Sequence, residues 1–224
     1  MDVLSAILYR QCVRAFLNKP VPKAYIETIL NVAKWAPSGV NTQPWRVIVL
    51  TGGVKEALST AILATFDQKT PAKPDYAYYP LTWEEPYKQR RKACGLALYS
   101  AIGIQLGEEE KRRAAWRRNY AFFGAPVGLL FLIDAHLEKG SWLDMGLFIQ
   151  NVCLAARGLG LETCPQASMA EYPDLIRANL GIDSAWHVVC GMALGFADWD
   201  HPINQYRTTR LPISEFAEFR GDFS

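Results

Sequence analysis

The sequence predicts an α+β fold with a central sheet held between helical layers. Residues 46–50, 125–133 and 186–196 are apolar, partly β-branched runs of strand length, each bounded by glycine, proline or polar residues. Helix-like segments outnumber these runs and do not alternate strictly with them, as they would in a βαβ fold. No internal repeat and no change of composition marks a linker, so one unit spanning 1–224 is expected.

In chain order, residues 3–8 form a short apolar run that suits a helix, and Arg10 stands just after it. An extended path from there to Phe16 sets Arg10, Cys12 and Arg14 on one face and Gln11 and Val13 on the other. Two guanidiniums on one face suit a phosphate or another anion. The simpler alternative is a helix end whose basic residues offset the macrodipole. Residues 22–35 read as a helix, with Pro22 near its first position and Ile26, Ile29, Leu30 and Ala33 on one face; Pro37 stops it. A polar loop with Pro37, Ser38, Asn41 and Gln43 leads into the first strand, which Gly52 and Gly53 end. Residues 54–66 should be helical.

Residues 67–86 hold Pro71, Pro74, Pro80 and Pro86 together with Tyr76, Tyr78, Tyr79 and Trp83. So many prolines exclude a regular element, and so many rings exclude an ordinary disordered linker. The excursion is either a functional lid or a segment packed on a partner. Helices are expected over 87–105 and 108–120, with acids ahead of bases in 108–113 as the dipole prefers. After the second strand, Ser141 is expected to cap a helix running to about Arg157, with Asp144 completing an approximate capping box. Apolar residues surround the axis of that helix, so it should be buried in a core or in an oligomer interface. Gly158 and Gly160 end it, and a short strand (161–164), a short helix (172–179) and the third long strand follow. A polar loop over 198–205 precedes Arg207 and Arg210. Phe216, Phe219 and Phe223 recur at intervals of three and four, so 211–224 reads as an arm laid on apolar surface of this subunit or a second one.

Half of the residues are hydrophobic and 21% are charged, with a formal net charge of +2. That charge is too small to imply nucleic-acid or membrane-surface binding, and no apolar run reaches transmembrane length. Cys12, Cys94, Cys153, Cys164 and Cys190 form an odd set without a C-x-x-C pair, so neither a disulfide framework nor a zinc site is expected. The first residues lack the features of a signal peptide, and a reducing cytoplasm is the expectation. Gly158 and Gly160 do not open a dinucleotide fingerprint, because Thr163 stands where the third glycine belongs. There is no P-loop, H-E-x-x-H or G-x-S-x-G, and His136, His187 and His201 are isolated. An enzyme built from this chain would take its hard chemistry from a bound cofactor.

Four segments stand out together: Arg10, Gln11, Cys12, Arg14 and Phe16; Pro37, Ser38, Asn41, Gln43, Pro44 and Trp45; Gly158 to Pro165 and Gln166; and Arg207, Arg210 and Pro212. In order and spacing they resemble the FMN-dependent nitroreductase family over nearly the whole chain. Tyr78, Tyr79, Pro80, Trp83, Tyr87, Arg90, Arg91, Phe122, Phe123 and Pro126 resemble the branch that acts on nitrobenzoates and related nitroaromatics. The resemblance implies an intertwined homodimer around a mixed or antiparallel sheet, with two FMN sites at the interface and NADH or NADPH as hydride donor. It implies that Arg10 and Arg210 pair with the FMN phosphate, with Arg207 a candidate third, and that Gln11 and Cys12 lie beside them. Arg14 would reach the N1/O2 side of the ring, where positive charge favours the reduced flavin. Pro37, Ser38, Asn41 and Gln43 would come from the partner subunit or flank the ring, and backbone groups of Pro165, Gln166 and Ala167 would face N5 and O4.

Tyr87, Phe122, Phe123 and rings of the 76–87 segment would wall the substrate pocket. No side-chain acid, base or metal is required by this scheme. The family commonly has serine where this chain has Cys12, and a thiol is the poorer hydrogen-bond partner. The implied reaction passes hydride from NAD(P)H through flavin N5 to a nitro group, giving nitroso and then hydroxylamine by ping-pong kinetics. Relatives reducing quinones or enones, removing halogen, or only binding flavin are the alternatives.

Overall fold

The computed structural model describes residues 1–222. Its four strands are β1 (Arg46–Thr51), β2 (Val127–Asp134), β3 (Glu162–Gln166) and β4 (Trp186–Gly195). They form one sheet in the order β1-β2-β4-β3, with every neighbouring pair antiparallel. Strand β2 is buried along almost its whole length, because both faces of the sheet are covered. The period of two sorts its side chains. Val127, Leu129, Phe131 and Ile133 enter one core with Ile26, Ile29, Met145, Phe148 and Val152. Leu130 and Leu132 enter the other, with Leu58, Ile62, Tyr120 and Ile176.

The helices on the first face are α2 (Lys23–Ala33) and α6 (Lys139–Gly158); those on the second are α3 (Gly52–Asp67) and α7 (Pro173–Leu180). The short N-terminal helix α1 (Val3–Tyr9) is capped by Asp2, whose carboxylate accepts the Ser5 N–H at 2.9 Å. Helices α4 (Tyr87–Ser100) and α5 (Glu109–Arg117) follow the proline-rich excursion, and α8 (Pro202–Gln205) lies in the polar loop after β4. None of the α4 residues is buried.

Several expectations need correction. Helix α6 begins at Lys139, and Ser141 lies inside it; Glu138 stands at the cap without a side-chain bond. The Asp144 carboxylate instead accepts the N–H of Gly39, at 3.1 Å. The α6 surface is two-sided: Met145, Phe148, Val152 and Cys153 are buried, whereas Leu143 is 74% exposed. The helix expected to Gln105 ends at Ser100. The one expected to Tyr120 ends at Arg117 and passes into a 3-10 turn in which Phe122 and Phe123 take left-handed conformations (φ 50° and 54°). Pro165 lies within β3, which is an edge strand, where a missing N–H is tolerated. Phe216 and Phe219 are exposed, so of the two surfaces expected for the C-terminal arm that of this subunit is not the one it covers, and Phe223 lies outside the described residues.

Candidate functional site

The chain leaves α1 at Arg10, which has extended dihedrals while its N–H still bonds the Ala6 carbonyl. It then runs beside β3: Cys12 forms a parallel bridge with Thr163, and the Val13 N–H donates to the Thr163 carbonyl at 3.1 Å. Val13 is driven into the interior, while Arg10, Cys12 and Arg14 face a cleft of about 870 Å³. Gln11 also reaches the cleft wall, where its Nε2 donates to the Asn204 carbonyl at 2.7 Å.

Arg207 and Arg210 line the same cleft from the segment after α8, and Arg90 lines it from α4. Arg207 is steadied by the Leu8 carbonyl at 2.5 Å, and Arg210 by the Thr208 hydroxyl at 2.6 Å. Five guanidiniums thus converge on a cleft with no Asp or Glu in its lining, and among the described residues none of them pairs with a carboxylate. Such a field selects an anion with several acceptor oxygens. The Cys12 thiol is held well below its usual value, first by a hydrogen bond from Cys164 and then by the charges of Arg14 and Arg10. Cys164, fully enclosed and facing Cys12, is pushed up.

Asn204 was not foreseen. It is buried, accepts the Arg14 N–H on Oδ1 at 2.8 Å, and donates from Nδ2 to the carbonyls of Ala15 (2.8 Å) and Asp198 (2.6 Å). It ties the Arg10–Arg14 stretch to the loop that precedes Arg207 and Arg210. An asparagine in a polar loop offers no sequence signal for this, because two of its partners, the Arg14 N–H and the Ala15 carbonyl, are backbone groups almost two hundred residues away.

Two residues beyond Thr163, the strand delivers Pro165, Gln166 and Ala167 to a second pocket, of about 440 Å³. Tyr76, Tyr78, Trp142 and Cys190 also line it. Trp142 packs on Tyr76 with ring centroids 4.4 Å apart. Gln166 donates from Nε2 to the Asn119 carbonyl at 2.6 Å, while its Oε1 is buried without a hydrogen-bond partner among the described residues. An arginine-lined cleft and an aromatic pocket therefore flank one edge strand.

The profile of the Nitroreductase family matches residues 7–196. The chain belongs to that family. A 4-nitrobenzoate reductase of Pseudomonas putida is 40% identical over 220 residues, covering 98% of this nitroreductase and 96% of the relative. A chloronitrobenzene nitroreductase of Comamonas testosteroni is 40% identical over 211 residues, covering 94% and 93%. Among solved structures, the FMN and NADPH-dependent nitroreductase NfnB from sphigopyxis sp. strain HMH superposes with a TM-score of 0.97 at 34% identity, over 99% of this chain and all of that one. The expected nitroreductase-like α+β fold is thereby established.

Not every expected site residue of this nitroreductase reaches the two cavities. Pro37, Ser38, Asn41 and Gln43 line neither. They form a surface turn in which the Ser38 hydroxyl accepts the Gln43 N–H at 3.0 Å, and in which Val40, Asn41 and Gln43 all have left-handed backbone. Val40, β-branched and fully exposed, is costly in that conformation. Tyr87 is exposed at the start of α4, with the Arg90 guanidinium 5.6 Å from its ring, and lines neither cavity.

Phe122 and Phe123, expected to wall the substrate pocket, line neither of the two cavities: both are buried in the second core. Their left-handed backbone turns the rings inward, and the Phe122 ring occupies the space beside Gly128, where a Cβ would lie 2.7 Å from it. The rings that line the aromatic pocket are Tyr76 and Tyr78, both of the excursion, and Trp142, which sequence reasoning did not single out.

Proposed function

We propose that this nitroreductase is an FMN-dependent NAD(P)H oxidoreductase that reduces nitroaromatic compounds by two-electron steps, working as a homodimer in the cytoplasm. The single observation that carries the cofactor reading is the chemistry of the donor set: five guanidiniums without a carboxylate line one cleft beside an aromatic pocket. FMN joins a phosphate to a planar ring, so it matches both halves. Nitroreductases named for FMN, NADPH and nitroaromatic substrates, with near-complete coverage, support the same reading.

In this proposal Arg10, Arg207 and Arg210 hold the phosphate, with Gln11 and Cys12 beside them, and Arg14 sets positive charge against the electron-rich ring. Backbone groups of Pro165, Gln166 and Ala167 orient the ring's polar edge. FMN, when bound, supplies the hydride chemistry between the nicotinamide donor and the nitro group. Tyr76, Tyr78 and Trp142 give an apolar seat for a planar acceptor and exclude water from it.

Support for a second copy comes from apolar surface that one chain leaves open. Val3, Leu4 and Leu8 of α1, Leu143 and Leu147 of α6 and Phe216 are all exposed, and α1 packs against α6, so their apolar side chains are placed to meet a second copy. The surface turn with Ser38, Asn41 and Gln43 is then available to complete the partner's site. Free cysteines at all five positions suit a reducing compartment.

The test is direct. Purified protein should be yellow, NADPH or NADH should bleach the flavin absorbance, and 4-nitrobenzoate should restore it with hydroxylamine as product. Double-reciprocal plots at several fixed acceptor levels should be parallel. A colourless protein that stays inactive with added FMN would overturn the reading, and intersecting lines would overturn the shared seat for donor and acceptor.

A further inference from the structure

Strand β3 pairs with β4 only from Gly191 to Gly195, so the first half of β4 has β2 on one side and no strand on the other. The register with β2 also slips there: Phe131 faces Cys190 while Leu132 faces Val188, which leaves Val189 as a bulge residue. An open strand edge carries unpaired backbone groups that must be covered. The proline-rich excursion covers this one with two consecutive residues. The Val188 N–H donates to Asp75 Oδ2 at 2.9 Å, and the Tyr76 hydroxyl donates to the Val189 carbonyl at 2.5 Å.

Asp75 is itself gripped by Arg177 of α7. The guanidinium makes two parallel bonds to the carboxylate, each of 2.9 Å, and also donates to the Trp186 carbonyl at 3.0 Å on the same edge. Both side chains are about nine-tenths buried (12% and 10% exposed). A buried ion pair adds little net stability over a well-packed apolar pair, but its two parallel bonds fix geometry, and Arg177 is itself held on α7 by Asp174 at 2.6 Å. The next residue along from this fixed point is Tyr76, whose ring lies against Trp142 at the mouth of the aromatic pocket.

We propose that the Asp75–Arg177 ion pair fixes the place of the Tyr76 wall of the aromatic pocket, docking the excursion on the open edge of β4 so that Tyr76 and Tyr78 stand where a planar acceptor is seated. Asp75 and Arg177 are positioning residues: neither lines the pocket, and both act through Tyr76. The excursion has no helix or strand of its own between α3 and α4, so its place over the pocket depends on such anchors. The assignment rests on the nitroaromatic reading of this pocket.

The test uses FMN-loaded wild type, Asp75→Asn, Arg177→Lys and Tyr76→Phe, the last removing only the hydroxyl that bonds Val189. Binding of nitrobenzene and of 1-nitronaphthalene is followed by tryptophan fluorescence without any reductant, alongside steady-state kinetics and flavin content. Asp75→Asn and Arg177→Lys should weaken nitrobenzene binding about tenfold, raising KM in step while kcat stays within about twofold, the signature of lost uniform binding. The ratio of their KM values for nitrobenzene and 1-nitronaphthalene should depart from that of wild type, and Tyr76→Phe should fall between them and wild type, with flavin content unchanged throughout. Unchanged KM and ring-size preference in folded variants would overturn the proposal, as would loss of flavin or of kcat with KM retained. Should one ion-pair variant fail to fold, Tyr76→Phe still decides through the same ring-size preference. Wild type that binds neither nitroarene would remove the nitroaromatic reading and this proposal together, whereas wild type that binds while all variants match it removes this proposal alone.

Discussion

Asn204 grips the extended segment beside β3 through Arg14: its Oδ1 accepts the Arg14 N–H while its Nδ2 donates to the carbonyl of the next residue, Ala15, each at 2.8 Å. A side chain amide that satisfies both a donor and an acceptor of an extended segment acts as a substitute strand neighbour. Asn204→Ala leaves one N–H and two carbonyls inside the protein without those partners, at a cost of about 1–3 kcal/mol for a buried group left unsatisfied. The expected outcome is a lower urea midpoint and weaker FMN retention together, because Arg14 and the approach to Arg207 move as one. Loss of stability with unchanged FMN affinity would show that Asn204 does not organise the cleft.

Arg10 and Arg14 share a cleft but should divide its work. Arg10→Ala should weaken FMN retention measured by equilibrium dialysis. Arg14→Ala should lower the flavin midpoint potential more than its occupancy, by about 30 mV for each 1.4 kcal/mol of lost differential stabilisation in a two-electron couple. Equal effects of both replacements on both quantities would contradict the division.

Phe122 belongs to packing. Gly128→Ala would drive a Cβ to 2.7 Å from two atoms of the Phe122 ring, which has no free space to withdraw into. Overpacking of this kind costs about 1–3 kcal/mol, visible as a lower denaturant midpoint. The KM for nitroaromatic acceptors should stay at the wild-type value, and a selective rise in KM would return Phe122 to the pocket wall.

Glu171 gives a pH dependence with a defined sign. Burial raises its carboxyl above the usual range, although the Tyr120 hydroxyl donates to it at 2.5 Å and opposes the rise. The folded state then binds the proton more tightly than the unfolded chain. Stability from this group is fully present below the unfolded value and is lost as pH rises through the folded one. Glu171→Gln keeps an acceptor for Tyr120 and removes the charge. Its melting temperature should exceed that of wild type at pH 7, and the difference should shrink as pH falls toward the ordinary carboxylate range. A lower melting temperature at pH 7 would reverse the assignment.

The sequence by itself determined the elements whose signal is local. The runs around β1, β2 and β4 announce themselves by apolar content, and Pro22 and Pro37 bracket α2 by what proline forbids. Arg10, Cys12, Arg14, Arg207 and Arg210 could be paired across the chain through their family pattern, and the structure brings all five to one cleft. Local signals misled where two elements compete for the same residues. Ser141 and Asp144 look like a cap, but the cap position falls on Glu138, ahead of Ser141, and Asp144 serves Gly39 instead.

Only the tertiary structure decided which polar and aromatic residues meet. Phe122 and Trp142 are equally apolar in sequence, yet a left-handed turn buries the first while Trp142 meets Tyr76 at the pocket. Asn204 and Asp75 acquire their parts because a strand neighbour is missing: one bonds the isolated stretch around Arg14, the other the open half of β4. An unpaired backbone group is a property of the assembled sheet, not of any residue's chemistry, and so the residues that satisfy it cannot be read before the sheet is built.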